Sequence, residues 1–416
     1  MFWKCLLVCT AILIVTVYVG LNKHELFHFR HYLLLNLVGR SVKVPIEAYG
    51  TRDRDHWSQF RAHIDQRSIL STAGQRLPNI VLIIADDLGM NDIVGYVPTP
   101  HIDSIGARGA IFKTAYAGHP TCAPSRASLF TGRYAPSFGF EYMPLARPFA
   151  RLISYNFSAV AYPSRVAPVS RTRGNPPLGA QAVPLEREML AEALQKRGYD
   201  CFHLGKWHLG QGAAFTPRRR GYNASLGFLG GGSLYAARGD PAVVEAAPAG
   251  SVFDEVVARL LQYGVSFNDG PRFTPDRYMT DYLSEQTARL VQVLHGPGEA
   301  QRPFFISLAY NAVHDPMQAL RSDYFSPAVQ RIPLDDGTTG TCEENACEDR
   351  QLIHDAGRNL ARVHGAMVLA LDRGVGTVLS ALERTGTVLY CTCIHACGHL
   401  HYMLYLYKPS CCRHRE

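Results

Sequence analysis

The chain has 416 residues, of which 47% are hydrophobic and 19% are charged, enough for one large or two ordinary globular domains. This composition excludes a coiled coil and an intrinsically disordered chain. The net charge is +7, but the basic residues are scattered, apart from three consecutive arginines at 218–220. Because nucleic-acid binding needs basic residues gathered on one element, we predict no nucleic-acid partner.

An apolar run lies between Lys4 and Lys23, within the N-terminal segment 1–22. Its length is intermediate between a signal-peptide core and a membrane span. No small-x-small cleavage site follows, which favours an uncleaved signal anchor over a cleaved signal peptide and predicts attachment to a membrane. Residues 23–77 are basic, histidine-rich and irregular, which indicates a stem or linker.

The signals for the cellular compartment conflict. Glycosylation sequons begin at Asn156 and Asn223 and favour a body on the lumenal side of the membrane. The positive charges that follow the apolar run favour the cytoplasmic side instead. Among eleven cysteines, Cys342 and Cys347 lie close together in a polar stretch and can form a disulfide in an oxidising compartment.

Helical and extended patterns alternate from residue 78 onward. Residues 79–85 form a continuous apolar, β-branched run, which predicts a strand buried on both faces in a central sheet of parallel type. Further strands are predicted at residues 110–117, 199–204 and 304–310, and helices at 99–109, 124–130, 185–197, 281–295 and 360–382. The alternation predicts an α/β fold.

Asp86 and Asp87 follow the first predicted strand directly. Open α/β sheets bind ligands at the carboxyl ends of their strands, and two adjacent carboxylates repel each other unless a cation lies between them. Oxygen ligands select calcium or magnesium. The pair is therefore a candidate site for a divalent cation, although an Asp-Asp dipeptide alone is more often a solvated turn.

Cys122 begins the string Cys-Ala-Pro-Ser-Arg, which ends at Arg126, and Leu-Phe-Thr-Gly-Arg follows at 129–133. Pro124 suits the first turn of a helix, and the N–H groups at a helix N-terminus stabilise an oxyanion. Arg126, one turn further on, can reach the same point. The alternatives are an ordinary buried thiol and a nucleophilic thiol activated by a histidine.

A lysine and two histidines follow two later predicted strands. In the string Gly-Lys-Trp-His-Leu-Gly at 205–210, Lys206 and His208 are alternate residues, which face the same way in an extended segment. His314 follows the strand at 304–310, and an imidazole of near-neutral pKa suits proton transfer to a leaving group. A hydrogen-bonded imidazole in the core is the alternative for a lone histidine.

Together, these motifs resemble those of the sulfatase family, and residues 304–320 resemble its arylsulfatase B branch. The resemblance implies an alkaline-phosphatase-like α/β fold, with a large mixed central sheet flanked by helices, and an enzyme that hydrolyses sulfuric esters. It implies that the formylglycine-generating enzyme converts Cys122 to formylglycine. It also implies one Ca²⁺ ion bound by Asp86, Asp87 and residue 122.

The resemblance assigns a role to each remaining candidate. The hydrated aldehyde at residue 122 attacks sulfur, held by the metal and Arg126 and deprotonated with help from His208. Lys206 contacts a sulfate oxygen, and His314 protonates the departing alcohol. The second hydroxyl then expels sulfate, whereas a plain serine would keep a stable sulfate ester.

The resemblance also bears on substrate and location. The expected substrate is a sulfated carbohydrate or aryl sulfate, with the N-acetylgalactosamine 4-sulfate groups of glycosaminoglycans as the specific expectation. Since formylglycine forms in the endoplasmic reticulum, the body is expected in the lumen of the secretory pathway (endoplasmic reticulum, Golgi or lysosome) or outside the cell.

The resemblance covers residues 78–389, interpreted as an incomplete N-terminal catalytic domain without the family's C-terminal subdomain. The family's next strand should end in an Asp-Asn pair that completes the metal shell. The chain continues instead into residues 390–416, which are rich in Cys, His and Tyr and contain no such pair. We therefore expect a sheet that lacks a central strand, weak metal binding and little or no activity in this chain.

The segment 390–416 has two interpretations. It is either non-homologous sequence or a zinc site built on Cys391, Cys393, Cys397 and His399. The first is preferred, because these spacings match no common structural zinc pattern.

Two other functions remain open. A phosphohydrolase of the same superfamily would use Ser or Thr as its nucleophile and usually two metals, which the cysteine at position 122 opposes. A catalytically impaired, truncated, membrane-anchored protein that binds sulfated glycans is favoured by the missing Asp-Asn pair. The intact nucleophile motif opposes that alternative.

Overall fold

The computed structural model describes Trp57, residues 77–145, 176–246, 261–295, 302–333 and 359–387, and the backbone of two strands at 389–396 and 402–407. The predicted signal anchor, the sequon at Asn156 and the cysteine pair Cys342 and Cys347 lie outside these residues.

A mixed sheet forms the centre of the described part of the chain. In spatial order, its nine strands are β2 (Gly109–Ala115), β11 (Tyr402–Tyr407), β10 (Leu389–Ala396), β1 (Asn79–Asp86), β8 (Phe304–Ala309), β3 (Asp200–Lys206), β4 (Ala224–Phe228), β6 (Val265–Phe267) and β7 (Arg272–Phe273). The five strands from β10 to β4 are parallel to one another, and antiparallel pairs lie toward both edges. A separate antiparallel pair joins β5 (Val243–Glu245) to β9 (Gln318–Leu320).

The helices of the described residues connect these strands. They are α1 (Met90–Ile93), α2 (Pro100–Ala107), α3 (Cys122–Thr131), α4 (Leu190–Lys196), α5 (Met279–Leu294), α6 (Arg321–Tyr324), α7 (Pro327–Gln330) and α8 (Leu360–Arg384). Among the described residues, α8 alone is long and apolar enough to cross a membrane, but 78% of its most apolar window is buried inside the protein. It packs mainly on α5, which is the behaviour of a core helix.

Alternate side chains of β1 enter two different hydrophobic cores. Val81 and Ile83 belong to the core that contains α5 and α8, whereas Leu82 and Ile84 belong to the core that contains α3 and α4. All four are buried because helices cover the sheet on both sides. The α/β fold and the burial of the first strand on both faces are confirmed.

Helix α4 begins later than its apolar spacing predicts. The predicted helix starts at 185, but Leu185 is 54% exposed and the helix starts at Leu190. The Glu192 side chain accepts a hydrogen bond from the N–H of Met189, at 2.7 Å. That bond caps the helix at this point, because it satisfies a backbone donor that has no partner within the helix.

The strands beyond residue 388 correct one prediction. The sheet does not lack the strand next to β1, since β10 pairs with β1 in parallel, from Asn79 with Leu389 to Asp86 with Ala396. Strand β11 then turns back and joins β10 to β2. Both segments are rich in aromatic and β-branched residues, which favour strands. Strand β10 nevertheless carries no Asp-Asn pair.

Trp57 lies within the segment predicted as a stem but packs into the globular body. It is 3% exposed, and its ring makes edge-to-face contacts with Phe202 and Phe267. Its Nε1–H donates to Gln286 Oε1 at 3.0 Å. Trp57 is therefore part of the core, whereas its sequence neighbours lie outside the described residues.

Asn223, the first residue of the second sequon, is half-buried between β3 and β4. Its Oδ1 accepts a hydrogen bond from the N–H of Cys201 at 2.7 Å, and its own N–H donates to the carbonyl of Cys201 at 2.7 Å. The side chain thus helps to align the two strands. Glycosylation at Asn223 stays a prediction.

Candidate active site

The carboxyl ends of β1, β3 and β8 meet at one edge of the sheet. Asp86 ends β1, Lys206 ends β3, and His314 lies in the loop after β8. That loop is fixed to β1 by two backbone bonds, from Asp86 N–H to the Ala312 carbonyl at 2.8 Å and from Val313 N–H to the Asp86 carbonyl at 2.7 Å. The fold therefore brings together side chains that are more than a hundred residues apart in sequence.

Three buried charges form the floor of this site. The side chains of Asp86, Arg126 and Lys206 are 0% exposed. Lys206 Nζ contacts Asp86 Oδ2, and Arg126 Nη2 is 3.8 Å from Asp86 Oδ1. Burial lowers the pKa of Lys206, but the nearby Asp86 and Cys122 outweigh it and raise that pKa overall. Lys206 is therefore a stable cation.

Cys122 is the first residue of α3, so the predicted helix is present but begins two residues before the predicted start at Pro124. The helix ends at Thr131, and Gly132, which follows it, adopts a left-handed conformation with φ 65°, as is common at helix C-termini. The Cys122 side chain is 8% exposed and hydrogen-bonds to both His208 and His314. The thiol thus lies at the helix N-terminus between two imidazoles.

His314 presents its Nε2 to the site. Its Nδ1 is 2.6 Å from the carbonyl oxygen of Asp315, which can only accept, so Nδ1 carries the proton. Nε2 is 3.6 Å from Asp87 Oδ2. Burial and Lys206 lower the pKa of His314, but the hydrogen bond to Cys122 and the charges of Asp87 and Asp86 outweigh them and raise it to about 9.

Asp87 and His208 both have left-handed backbones, with φ 57° and 59°. Such conformations are uncommon for residues other than glycine and often occur at functional sites. Burial raises the pKa of Asp87 to about 6 and lowers the pKa of His208, which therefore stays neutral near pH 7. Strand β3 ends at Lys206 and the backbone of His208 is left-handed, so the predicted extended segment through His208 is wrong.

The family model described as Sulfatase matches residues 78–389 of this chain. This chain belongs to the sulfatase family. All the residues placed above in the site lie within the matched range. The chain's mostly parallel central sheet, flanked by helices, is the fold that the resemblance implies.

Several sulfatases are similar to this chain over most of its length. Arylsulfatase J of Mus musculus is 27% identical over 341 residues, which cover 80% of this chain and 44% of the relative. Arylsulfatase of Klebsiella aerogenes is 28% identical over 341 residues, which cover 76% of this chain and 64% of the relative. The chain thus spans about half the length of these relatives, from 44% to 64%.

A solved structure supports the same assignment. The crystal structure of Ps i-CgsB in complex with k-i-k-neocarrahexaose superimposes with a TM-score of 0.55 and 25% sequence identity. The match covers 81% of this chain and 66% of that one.

Sequence reasoning missed a glycine run that lies against the two histidines of the sulfatase site. A Cβ at Gly231 would lie 2.8 Å from Cε1 and 2.9 Å from Nε2 of His208, and one at Gly232 would lie 3.8 Å from Cε1 of His314. The signal was visible, since residues 230–232 are three consecutive glycines. Their closeness to the histidines depends on the conformation of the loop after β4 and could not be predicted from the sequence.

Tyr235 is a second missed residue of the sulfatase site. Its hydroxyl lies 2.7 Å from the Asn311 carbonyl and 2.8 Å from the His314 carbonyl. Asn311 Nδ2 in turn donates to the carbonyl of Ser233 at 2.9 Å. These bonds hold the loop after β8, and with it the backbone of His314, against the segment that follows the glycine run.

The site fits a divalent cation in part. One ligand atom from each of Asp86, Cys122 and His314 lies within 4.8 Å of the others. Asp86 Oδ1 is buried without a hydrogen-bond partner in the described part of the protein, and the carboxylate of Asp87 is adjacent. Two carboxylates suit calcium, but the strand beside β1 has Ala396 level with Asp86 and supplies no carboxylate there.

Proposed function

We propose that this sulfatase hydrolyses sulfate esters with residue 122 as its nucleophile, after conversion of Cys122 to formylglycine. The surroundings of Cys122 support this proposal best. Its side chain hydrogen-bonds to His208 and His314, and the buried ion pair of Lys206 and Asp86 belongs to the same site. A nucleophile, two imidazoles and a cation thus surround one point at a helix N-terminus, where a sulfate group would be stabilised.

Each imidazole has the protonation state that its role requires. His208 is neutral because burial lowers its pKa, so it accepts the proton from a hydroxyl on residue 122. His314, with a pKa raised to about 9, is protonated near pH 7 and donates from Nε2 to the leaving oxygen. Lys206 and Arg126 supply fixed positive charge for the sulfate oxygens.

Two groups that the family implies would complete the chemistry. Formylglycine at residue 122 would supply an aldehyde whose hydrate carries two hydroxyl groups. Asp86 and Asp87 would hold a divalent cation, with Ca²⁺ the expected ion, and the cation would neutralise negative charge on the bound sulfate. The chain's own contribution is to orient residue 122 and to place one proton acceptor and one proton donor beside it.

The substrate proposed is a sulfated carbohydrate or an aryl sulfate. Relatives of this chain include arylsulfatases and the N-acetylgalactosamine-6-sulfatase of Mus musculus, 26% identical over 322 residues. The last name supports a sulfated N-acetylgalactosamine as the substrate group. We further propose the formylglycine-generating enzyme as partner, a location in the secretory lumen or outside the cell, and membrane attachment through the N-terminal segment.

The test expresses the full chain together with the formylglycine-generating enzyme. Mass spectrometry of the peptide that contains residue 122 measures conversion, and release of the phenol from an aryl sulfate measures hydrolysis. Disaccharides sulfated at position 4 or 6 of N-acetylgalactosamine are then compared. We expect an aldehyde at residue 122 and turnover that Cys122→Ala abolishes. An intact thiol, with turnover no greater than that of Cys122→Ala, would contradict the proposal.

A second candidate is a sulfatase-like protein that binds sulfated glycans without turnover. The observation that favours it is the register of β10, in which Ala396 lies level with Asp86 where a further metal ligand is expected. Binding of a sulfated oligosaccharide without release of sulfate at saturating Ca²⁺ would support this candidate over the enzyme, provided that Lys206→Met weakens the binding under conditions where circular dichroism shows the variant to be folded.

A further inference from the structure

We propose that the chain with an unmodified Cys122 binds Zn²⁺ through Asp86, Cys122 and His314. The site uses the thiol sulfur that conversion to formylglycine would remove. It differs in ligand chemistry from the oxygen site proposed for Ca²⁺ and does not depend on sulfate hydrolysis.

The ligand set is the first argument. One carboxylate oxygen, one sulfur and one imidazole nitrogen lie within 4.8 Å of one another. Thiolate, imidazole and carboxylate together are typical zinc ligands, with bond lengths of about 2.0–2.3 Å that place neighbouring ligands roughly 3.5 Å apart. Small side-chain rotations therefore close the site around one ion, with a fourth position left for water.

The three ligands are held in place before any ion binds. Asp86 ends β1, and its backbone is bonded to Ala312 and Val313 in the loop that carries His314. The Nδ1–H of His314 donates to the Asp315 carbonyl, and such a bond orients a metal-bound imidazole. Nε2 is thereby fixed as the ligand atom. Asp86 is fully buried, and its Oδ1 has no hydrogen-bond partner in the described residues.

The charges at the site favour a dication. Lys206 contacts Asp86 and Arg126 is 3.8 Å from it, which opposes a metal ion. Asp87, 3.6 Å from His314 Nε2, adds a second carboxylate. Two carboxylates and a thiolate outweigh the charges of Lys206 and Arg126, and binding releases both the thiol proton of Cys122 and the Nε2 proton of His314 to solvent. Because sulfur is a soft ligand, the site selects Zn²⁺ over Ca²⁺.

The experiment uses the full chain expressed without the formylglycine-generating enzyme. Equilibrium dialysis measures Zn²⁺ affinity. Co²⁺, which substitutes for Zn²⁺, reports sulfur ligation by a thiolate-to-metal charge-transfer band. The control for loss of a thiol elsewhere is Cys201→Ser, which removes a buried cysteine outside the site. A second background replaces the cysteines of the segment 390–416 with serine, because that segment is the competing zinc site.

The expected result is one tight Zn²⁺ ion and a charge-transfer band in the unmodified chain and in both control backgrounds. Cys122→Ser removes the band and weakens Zn²⁺ binding at least about tenfold, and His314→Gln weakens it similarly. Circular dichroism checks that each variant is folded. Cys122→Ser preserves the size and hydrogen bonding of the side chain, so loss of the band reports ligation and not packing.

Other results would overturn the zinc proposal. A band that survives Cys122→Ser but disappears when the cysteines of 390–416 are replaced assigns zinc to that segment. Equal Zn²⁺ affinity before and after conversion of Cys122 to formylglycine also rejects the site. Failure of the hydrolysis test leaves these readouts unchanged, so the two proposals can fail separately.

Discussion

Lys206 and Asp86 form an ion pair from which water is excluded, with both side chains 0% exposed. The residues are 120 positions apart in sequence and end two strands that flank β8. Removal of one partner from such a pair leaves a buried charge without compensation. Loss of either partner should therefore destabilise the site, besides its effect on the proposed binding of sulfate.

Replacement of Lys206 by methionine should destabilise the fold strongly. We expect Lys206→Met to lower the free energy of unfolding by about 3–5 kcal/mol, because the charge of Asp86 stays buried. Urea unfolding near neutral pH measures the loss. The matched control is Lys196→Met, since the Lys196 side chain is 75% exposed in its pair with Glu188 and should change stability little. Equal losses in the two variants would contradict the prediction.

The contact between Gly231 and His208 predicts a loss of catalysis without a loss of folding. A methyl group at residue 231 must displace the imidazole, since its Cβ would lie 2.8 Å from Cε1. If the proposed hydrolysis is correct, Gly231→Ala should lower kcat/KM on an aryl sulfate by on the order of a hundredfold, because small displacements of catalytic groups are costly.

Gly230→Ala is the matched control for this prediction. A Cβ at Gly230 meets nothing within 4 Å, so its kcat/KM should stay within about twofold of the parent chain. Thermal unfolding should be similar for both variants. If the two alanine variants have the same kcat/KM, the loop after β4 does not position His208.

Much of the site could be predicted because each motif follows an element with a strong local signal. The apolar run of β1 places Asp86 at a strand end, and Pro124 places Cys122 at a helix start. The backbone of His208 could not be predicted, since alternation in a strand was assumed where the chain turns with φ 59°. The contact of Gly231 with His208 depends on a loop conformation set by tertiary packing.

The C-terminal strands show a different limit of sequence reasoning. The segment 390–416 was interpreted as non-homologous because it lacks the expected Asp-Asn pair. The absence of these two metal ligands was then taken to mean that the strand itself is absent. Strand formation depends instead on backbone pairing and on residues suited to a sheet. Strand β10 satisfies both conditions and pairs with β1 along its whole length. The chain therefore forms the strand although it lacks the metal ligands expected at the end of that strand.

The burial of Trp57 predicts that a residue before the sulfatase domain contributes to the stability of that domain. We expect Trp57→Ala to lower the free energy of unfolding by about 3–5 kcal/mol, because a large buried ring leaves a cavity. Trp57→Phe keeps most of the contact with Phe202 and Phe267 and loses the bond to Gln286, which costs about 1 kcal/mol. Urea unfolding followed by circular dichroism measures both. A stable alanine variant would show that the indole does not pack on the body.

The buried imidazole of His203 should make the protein less stable in acid. Burial lowers the pKa of this imidazole to about 3, against about 6.5 in an unfolded chain. Below about pH 6.5 the unfolded state thus binds more protons than the folded state, so stability falls as the pH drops toward 3. From about pH 7 to about pH 5, this one group should remove roughly 2 kcal/mol.

Urea unfolding at the two pH values tests the assignment to His203. In His203→Gln, which does not titrate, the difference in stability between the two pH values should shrink by roughly that 2 kcal/mol. His295→Gln, at an exposed position, should leave the difference unchanged. An unaltered pH dependence in His203→Gln would mean that other groups cause the acid sensitivity.

The register of β10 predicts how calcium binding could be strengthened. Ala396 is paired with Asp86 on a parallel neighbour, about 4.8 Å away in the sheet. A carboxylate at this position would add a third oxygen donor at the same edge. We expect the double change Ala396→Asp and Cys397→Asn to tighten Ca²⁺ binding on the order of tenfold or more, because affinity rises with the number of charged ligands.

Calorimetric Ca²⁺ titration of the full chain measures this effect. The matched control, Ala396→Leu with Cys397→Ser, alters the same two positions without adding a carboxylate or amide. Its affinity should equal the weak affinity expected of the parent chain. If the Asp-Asn variant and the control bind Ca²⁺ equally, the strand end is not part of the metal shell. The absent pair would then be no reason to expect weak metal binding in this chain.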